Sequence, residues 1–307
     1  MGDTLVPVQS RGLRILAYAA VYILWGGSFL AVREIVLVAP PFLSAAFRFL
    51  VAGLVLLLWS RAIRAPWPTR REVGSTMLLG MVMFCINYAC LFWAEQRVDS
   101  GYAAIISSTV PVWIFAGEWL WLRSIRPNKG ALAGMFLGIS GVGLLVLPGS
   151  RGEWTLGALA LLLGALCWAG GTLTSRRLPV PKSRHASAGL QMSFGGAFLL
   201  ILAAASGEAR RLPQILAVWN LRLSLDMLYL IFAASIATFL AYIWLIDHEP
   251  ASRVSSHAYV NPLIAVVLGA TIAGERLAPV QFAGAAFVIA GVIVTLWSRS
   301  AARAVRS

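Results

Sequence analysis

Arg48 is the residue of this sequence best suited to chemistry, because it is a charged side chain inside a long apolar stretch. Insertion scales put an Arg at the centre of a membrane helix at about 2.5–3.5 kcal/mol, so such a side chain faces the protein interior or water. A planar guanidinium suits a carboxylate, which it binds through two parallel hydrogen bonds. Two interpretations stay open: Arg48 clamps a substrate carboxylate, or it pairs with Glu34 or backbone carbonyls and holds a gate.

Two prolines lie at the centres of apolar stretches, Pro111 in the first half of the chain and Pro262 in the second. Proline lacks a backbone donor and displaces the carbonyl four residues earlier. Each is either a tolerated kink or a helix break beside a cavity, and the matched placement favours the break. With the deep aromatic and polar residues, this predicts a set of cavity residues. They are Trp25, Arg48, Asn87, Tyr88, Ser108, Thr109, Trp113, Trp168, Tyr242, His257, Tyr259 and Asn261.

Few titratable groups other than Arg48 lie inside the apolar stretches. His257 has two interpretations: a neutral, hydrogen-bonded interior side chain, or a proton carrier. Glu118 lies near Arg123 and Arg126 and is expected to form an ion pair or to reach the membrane surface. No other acidic residue falls well inside an apolar stretch, which argues against proton antiport through an embedded carboxylate. The sequence predicts no metal, no cofactor and no catalytic residue.

The elements that position these residues are ten apolar stretches, numbered here as spans 1 to 10. Each is close to the ~20 residues that a helix needs to cross a bilayer, and lipid leaves backbone groups no partner outside a helix or a closed barrel. The spans are Ile15–Val32, Pro41–Ser60, Val73–Trp93, Ser100–Leu122, Gly130–Leu147, Trp154–Ser175, Ala186–Gly207, Met227–Ile246, Val254–Gly274 and Leu277–Ser298.

The last five spans repeat features of the first five. Trp25 and Arg48 align with Trp168 and Gln191 without a gap, and the pairs Trp93/Trp244 and Pro111/Pro262 share a second offset. A duplicated unit with an odd number of spans inserts its second copy upside down, which is the scaffold of many alternating-access transporters. We therefore predict two inverted repeats, 14–147 and 154–298, with a cytoplasmic tail at 299–307.

Composition and charge support a membrane protein. Hydrophobic residues make up 59% of the chain and charged residues 12%, which excludes an ordinary soluble domain. With alternating spans, 17 Lys or Arg lie on the side of the N-terminus and 7 on the other. Positive residues mark the cytoplasmic side, so both termini are predicted to be cytoplasmic. The net charge of +13 is thus a topology signal and a source of attraction to anionic lipid, not a sign of nucleic-acid binding.

These residues resemble the EamA-type transporters of the drug/metabolite transporter superfamily over roughly residues 14–298. The resemblance rests on Trp25-Gly26 with Phe29, Pro41 with Arg48, Pro111, Pro262, Gly274-Glu275, Gly284 and Gly291. It implies a ten-helix basket around a central cavity and export of small metabolites across a bacterial inner membrane. Within the family the chain looks most like YddG-type exporters of amino acids. One departure is that the glutamate expected after the proline of span 4 aligns with Ser124.

The leading hypothesis is an exporter of aromatic, apolar and other amino acids, because the interior combines one fixed cation with many aromatic rings. Efflux of drug-like or purine-like compounds is the alternative. A sugar-phosphate carrier would need more interior positive charge, and an intramembrane enzyme would need a nucleophile–base pair or metal ligands. The glycines of span 5 predict either tight packing within the chain or a homodimer contact.

Overall fold

The computed structural model describes residues 9–123, 128–146, 152–249, 254, 257–276 and 278–304, and these residues are helical or lie in turns and short connections. Spans 1, 3, 4 and 8 are each built from three successive helical segments. The other spans are single helices over Pro41–Ala62, Lys129–Val146, Gly152–Ser175, Arg184–Ala205, His257–Ile272 and Pro279–Ala304. The helix of span 10 therefore continues into the segment expected to be a tail.

Seven helices among the described residues are long and apolar enough to cross a membrane; they correspond to spans 1 to 4 and 6 to 8. Spans 5, 9 and 10 each contain a shorter apolar helical segment, at Lys129–Leu144, Val260–Ile272 and Phe282–Thr295. The helical class is therefore confirmed, whereas a full set of ten crossings stays a prediction.

The connection before span 8 is more structured than the sequence indicated. The predicted spans 7 and 8 leave Glu208–Asp226 as a connection, but a short helix occupies Leu212–Val218 and the helix of span 8 already begins at Leu221. Asn220 caps this start, since its Oδ1 accepts from the backbone N–H of Leu223 at 3.1 Å. Arg222 and Asp226 lie in the first two turns of this helix, and their charges made a start based on hydropathy fall too late.

Spans 2 and 7, which are equivalent in the two copies, pack against each other in opposite directions. A methyl group added at Gly189 would lie 2.9 Å from Leu57, and one added at Gly196 would lie 2.9 Å from Leu50. The later residue of span 7 thus meets the earlier residue of span 2. Antiparallel contact between equivalent helices is the arrangement expected of inverted repeats.

Spans 5 and 10, the second equivalent pair, also pack antiparallel. A Cβ at Gly134 would lie 2.5 Å from the nitrogen of Thr295, and one at Gly141 would lie 2.6 Å from that of Val288. Only glycine permits so close an approach of the two backbones. Gly134 and Gly141 are therefore used for packing within the chain, and a homodimer contact stays a prediction.

Equivalent spans 3 and 8 share a local widening. Each contains a π-helical segment, over Gly80–Ile86 in span 3 and over Tyr229–Ala237 in span 8. Shorter π segments occur at Ala20–Leu24 in span 1 and Gly117–Trp121 in span 4. Such segments insert a residue into a helix, shift the side chains that follow, and are frequent at functional sites.

The two central prolines differ in their effect on the backbone. Span 4 is interrupted: one helix is Ser100–Ser107, the next is Val110–Ala116, and Pro111 lies in the first turn of the second. Span 9 is continuous over His257–Ile272 with Pro262 inside it. The helix break predicted at Pro262 is therefore absent from the described backbone, because a helix can lose one hydrogen bond without ending.

Candidate functional site

Arg48 lies in the interior of the protein, with only 2% of the residue exposed. Its Nε donates to Ser235 Oγ at 2.9 Å, which ties span 2 to the π segment of span 8. Neither Nη atom donates to a described residue, and neither Nη atom is completely buried. Both Nη atoms therefore touch space that a water molecule can enter, and the fork of the guanidinium is held by one edge only.

Aromatic rings surround this guanidinium. Its Cζ lies 4.9 Å from the ring centre of Phe49 and 5.3 Å from that of Tyr88. Tyr88 in turn packs on Phe84 at 6.0 Å and on Trp168 at 6.3 Å. We call these five residues the Arg48 group. The negative faces of its rings stabilise the buried cation without neutralising it, so the group keeps its positive charge available.

Trp25 forms the corresponding group with two residues of the second copy. Its ring lies 5.2 Å from Tyr242 and 5.4 Å from His257, and those two rings are 5.6 Å apart. The Nδ1 atom of His257 lies 3.0 Å from the carbonyl oxygen of Val254, within its own span. The histidine is thus hydrogen-bonded to backbone, as the simpler of its two interpretations expected. We call Trp25, Tyr242 and His257 the Trp25 group.

The π segment of span 8 joins the two groups. Ser235 holds Arg48, and the neighbouring carbonyl of Ala234 accepts from Trp25 Nε1 at 2.9 Å. At the start of the same segment, the Tyr229 hydroxyl donates to the carbonyl of Leu24 at 2.8 Å. This segment thus accepts hydrogen bonds from side chains of two other spans, through the Ser235 hydroxyl and the Ala234 carbonyl. It therefore sets the positions of Arg48 and Trp25 together.

A glycine makes room for this contact in span 1. A methyl group at Gly27 would lie 2.7 Å from the Tyr229 hydroxyl oxygen. Any larger residue would push the hydroxyl away from Leu24. Gly27 thus allows the approach of span 8, while Gly26 allows that of span 9, where a Cβ would lie 2.8 Å from Ile264.

The polar residues around Pro111 satisfy one another within span 4. Ser108 Oγ donates to the carbonyl of Ile105 at 2.6 Å, and Thr109 Oγ1 donates to that of Ile106 at 2.7 Å. Trp113 Nε1 donates to Thr109 Oγ1 at 3.0 Å. None of these hydrogen bonds reaches the Arg48 or Trp25 group. These three predicted cavity residues therefore line the break in span 4, and their place beside a substrate stays a prediction.

The two candidate asparagines lie at contacts between spans. Asn87 Oδ1 would lie 2.9 Å from a methyl group at Gly164, so Asn87 packs on span 6. Asn261 is buried, and with its amide oriented to donate its nitrogen lies 3.2 Å from the carbonyls of both His257 and Tyr22. Asn261 thus tethers span 9 to span 1. The side chain of Tyr259 lies outside the described part of the structure.

The ion pairs correct one expectation from the sequence. Glu34 pairs with Arg222 at 3.1 Å, so the proposed pair between Glu34 and Arg48 is wrong. The reason lies in the early start of span 8, which brings Arg222 to the end of span 1. Glu118 is buried and pairs with Arg176 of span 6 at 3.0 Å.

Sequence reasoning missed Ser235 and Tyr229, which hold Arg48 and the end of span 1. A signal was available for the first. The alignment that pairs Trp93 with Trp244 also pairs Phe84 with Ser235. The second copy thus has a hydroxyl where the first has an aromatic ring, which marks a position where the copies differ. No sequence signal identified Tyr229, because its role depends on the π segment.

The chain matches the model of the EamA-like transporter family twice, over residues 13–147 and 155–297. It is similar to the uncharacterized inner membrane transporter YedA of Escherichia coli (strain K12), with 32% identity over 91% of this chain and 90% of that protein. It is also similar to the uncharacterized transporter YvbV of Bacillus subtilis (26%, 92% and 91%) and to protein PecM of Dickeya dadantii (25%, 88% and 88%). A crystal structure of a protein with 20% identity has the same fold, with a TM-score of 0.60 over 94% of this chain and 99% of the other.

Proposed function

We propose that this chain, which belongs to the EamA-like transporter family, exports amino acids, with aromatic and apolar ones preferred. It is a multi-pass inner-membrane protein of a transporter family rather than an enzyme family. The proposal concerns the substrate and the direction of transport. Its site lies between the two copies, where the Arg48 and Trp25 groups meet along span 8.

One observation carries the substrate class: the Nη atoms of Arg48 have no hydrogen-bond partner among the described residues and are not completely sealed. Burying a guanidinium costs free energy unless its charge is paired or hydrogen-bonded. Two parallel N–H groups on one edge fit a carboxylate. The hydrogen bond from Nε to Ser235 fixes the plane of the fork, so the free edge has a defined direction.

The aromatic rings support the choice of amino acid. Trp25, Trp168, Tyr88 and Tyr242 are only partly buried although they pack against the interior core. Their remaining surface suits a flat or apolar side chain. A substrate with a carboxylate at one end and an apolar side chain at the other would use both the cation and the rings.

Efflux of drug-like or purine-like compounds is the second candidate, and the same aromatic rings favour it. The two candidates differ in whether Arg48 is needed. An uncharged flat compound would bind through the rings alone, whereas an amino acid would depend on the guanidinium.

We also propose ten crossings in two inverted repeats, 14–147 and 154–298, with both termini in the cytoplasm. The antiparallel contacts of spans 2 with 7 and of 5 with 10 support inversion. The distribution of Lys and Arg supports the orientation. Single cysteines at positions 64 and 151 should be labelled from opposite sides of the membrane, and labelling from one side would refute the ten-span topology.

Counterflow in proteoliposomes tests the function. Vesicles containing the purified protein and loaded with an unlabelled amino acid should take up the labelled amino acid in a saturable manner. The amide of the same amino acid should compete poorly, because it lacks the carboxylate that Arg48 would bind. Equal competition by the amide, or counterflow only with uncharged aromatic compounds, would favour the second candidate.

A further inference from the structure

Glu95 is a buried acid without a partner. It directly follows span 3, whose last helix is Asn87–Ala94. Its exposed fraction is 0%, and neither carboxylate oxygen has a hydrogen-bond partner. The Nη1 atom of Arg33 donates to the backbone carbonyl of Glu95, not to its side chain. The carboxyl group is therefore sealed in the described conformation.

The neighbouring acids are satisfied by other groups. Asp99 pairs with Arg33 at 3.6 Å. Glu275, in the connection between spans 9 and 10, accepts from Ser100 N at 3.0 Å, from Ser100 Oγ at 2.9 Å and from Gly101 N at 3.2 Å. Glu95 alone among the three has no such partner, although it lies closest to the interior.

Charges from several elements act on the Glu95 carboxyl. Arg33 of span 1 and Arg48 of span 2 stabilise its charged form, whereas Glu275 destabilises it. Asp99, on the same connection, interacts with both Arg33 and Glu275. The largest effect is burial, which raises the pKa of Glu95 well above its ordinary value. An unpaired carboxylate in such a place costs far more than a neutral acid.

Few acidic residues lie inside the spans, which on the sequence alone disfavours a proton carrier. In the folded protein, however, Glu95 is buried although it lies just beyond the end of span 3 in the sequence. The Arg33–Asp99 pair beside it is about one-fifth exposed on each side chain. The Arg33 side chain, which contacts the backbone of Glu95, therefore reaches the protein surface.

We propose that Glu95 binds the proton that this transporter exchanges for its substrate. The inference rests on the proposed function, in which Arg48 takes the substrate carboxylate. In the exchange, the O–H bond of the Glu95 carboxyl breaks, the proton passes to water, and the carboxylate is left with both electrons of that bond. The ammonium group of the amino acid then neutralises this carboxylate. Because a proton and an ammonium group compete for one carboxylate, only one of them is bound at a time, which couples their movements in opposite directions.

Proteoliposomes with wild-type protein and the variant Glu95→Gln separate this role from substrate binding in general. In the wild type, an imposed pH gradient should raise the initial rate of amino-acid transport several-fold and drive accumulation. In Glu95→Gln the gradient should have no effect, and counterflow at equal pH should need a several-fold higher amino-acid concentration, because the variant lacks the carboxylate that binds the ammonium group. Glu95→Asp should restore part of the response, because it restores a titratable carboxyl.

Glu118→Gln is the matched control, since Glu118 is also a buried glutamate but pairs with Arg176. It should keep the response to the gradient. A wild type with counterflow but no response to the gradient would overturn the inference and leave the proposed function standing. A response in Glu95→Gln equal to that of the wild type would also overturn it.

Absence of counterflow with every amino acid would refute the proposed function. An infrared measurement then still tests whether Glu95 holds a proton. The carbonyl stretch of a protonated carboxylic acid should appear in the wild type and in Glu118→Gln, and should be absent in Glu95→Gln. Presence of the same band in all three proteins would show that Glu95 does not hold the proton. Size-exclusion profiles and thermal midpoints verify that each variant is folded.

Discussion

Arg48 in the first copy and Gln191 in the second occupy equivalent positions in spans 2 and 7, but their side chains make different contacts. Arg48 donates across the protein to Ser235 of span 8. Gln191 donates to Ser187 Oγ at 3.1 Å, one turn earlier in its own helix. The duplicated helices thus preserve the frame, and the difference between the copies places a single positive charge at the centre.

The partner of Arg48 shows the same asymmetry. Phe84 in span 3 belongs to the ring cluster, while its equivalent in span 8 is Ser235, which accepts the hydrogen bond from Arg48. The tryptophans are by contrast kept, since Trp25 and Trp168 pack on spans 8 and 3 respectively. The two copies therefore share these tryptophan positions but not the charge, which suits a substrate with two unlike ends.

The largest effect is expected from Arg48→Gln, which makes the first copy resemble the second. Loss of a hydrogen-bonded charge costs about 1.5–3 kcal/mol, or roughly 10- to 100-fold in affinity. Counterflow should therefore weaken strongly for amino acids and little for their amides. Arg48→Lys keeps the charge but not the fork. Equal loss for both compounds, with a lowered thermal midpoint, would assign Arg48 a structural role instead.

A smaller effect is expected from Ser235→Ala, which removes the acceptor of Arg48 Nε. The buried donor is then unsatisfied, at a cost of about 1–3 kcal/mol, and the guanidinium loses its fixed plane. The KM for amino acids should rise several-fold, together with a lower thermal midpoint. Ser140→Ala is the control, because the exposed Ser140 hydroxyl bonds only its own helix. An unchanged KM in Ser235→Ala would show that Ser235 does not orient Arg48.

Matched replacements of the two tryptophans compare the copies directly. Trp25 Nε1 donates to Ala234 O, whereas Trp168 Nε1 donates to no described residue. Trp25→Phe should therefore lower the free energy of unfolding by about 1 kcal/mol more than Trp168→Phe. Thermal unfolding in detergent measures this difference. Equal midpoints for the two variants would mean that the span 8 contact contributes little.

The smallest effects are expected at two helix starts. Glu275 accepts three hydrogen bonds at the start of span 4, and Glu208 accepts two at the start of span 2, from Phe42 N at 3.4 Å and Leu43 N at 2.8 Å. Replacing either by Gln removes the charge that favours a helix N-terminus, worth about 0.3–1 kcal/mol. Glu275→Gln should lower the thermal midpoint more than Glu208→Gln. The reverse order would show that the number of accepted bonds does not govern these caps.

Hydropathy was sufficient for the helical class and the positions of the apolar helices, and the resemblance of the motif residues indicated the family. These features depend on the composition of continuous segments, because lipid requires each crossing to be apolar and helical. The pattern also singled out Arg48, Trp25 and Trp168, since a charge inside a span and paired aromatic residues are visible in the order of residues. Boundaries marked by charges were less accurate, as the early start of span 8 at Leu221 shows.

Partners of side chains were decided only by the tertiary structure. The sequence suggested Glu34 as a partner of Arg48. In the structure Arg48 donates a hydrogen bond to Ser235 in the π segment of span 8, and Glu34 forms an ion pair with Arg222. Glu95 lies just past a span in the sequence, where an acid is ordinarily solvated, yet helix packing seals it completely. Burial and hydrogen bonding at such residues depend on distant segments meeting in space, so the order of residues determined which groups were present and the packing determined what each one faces.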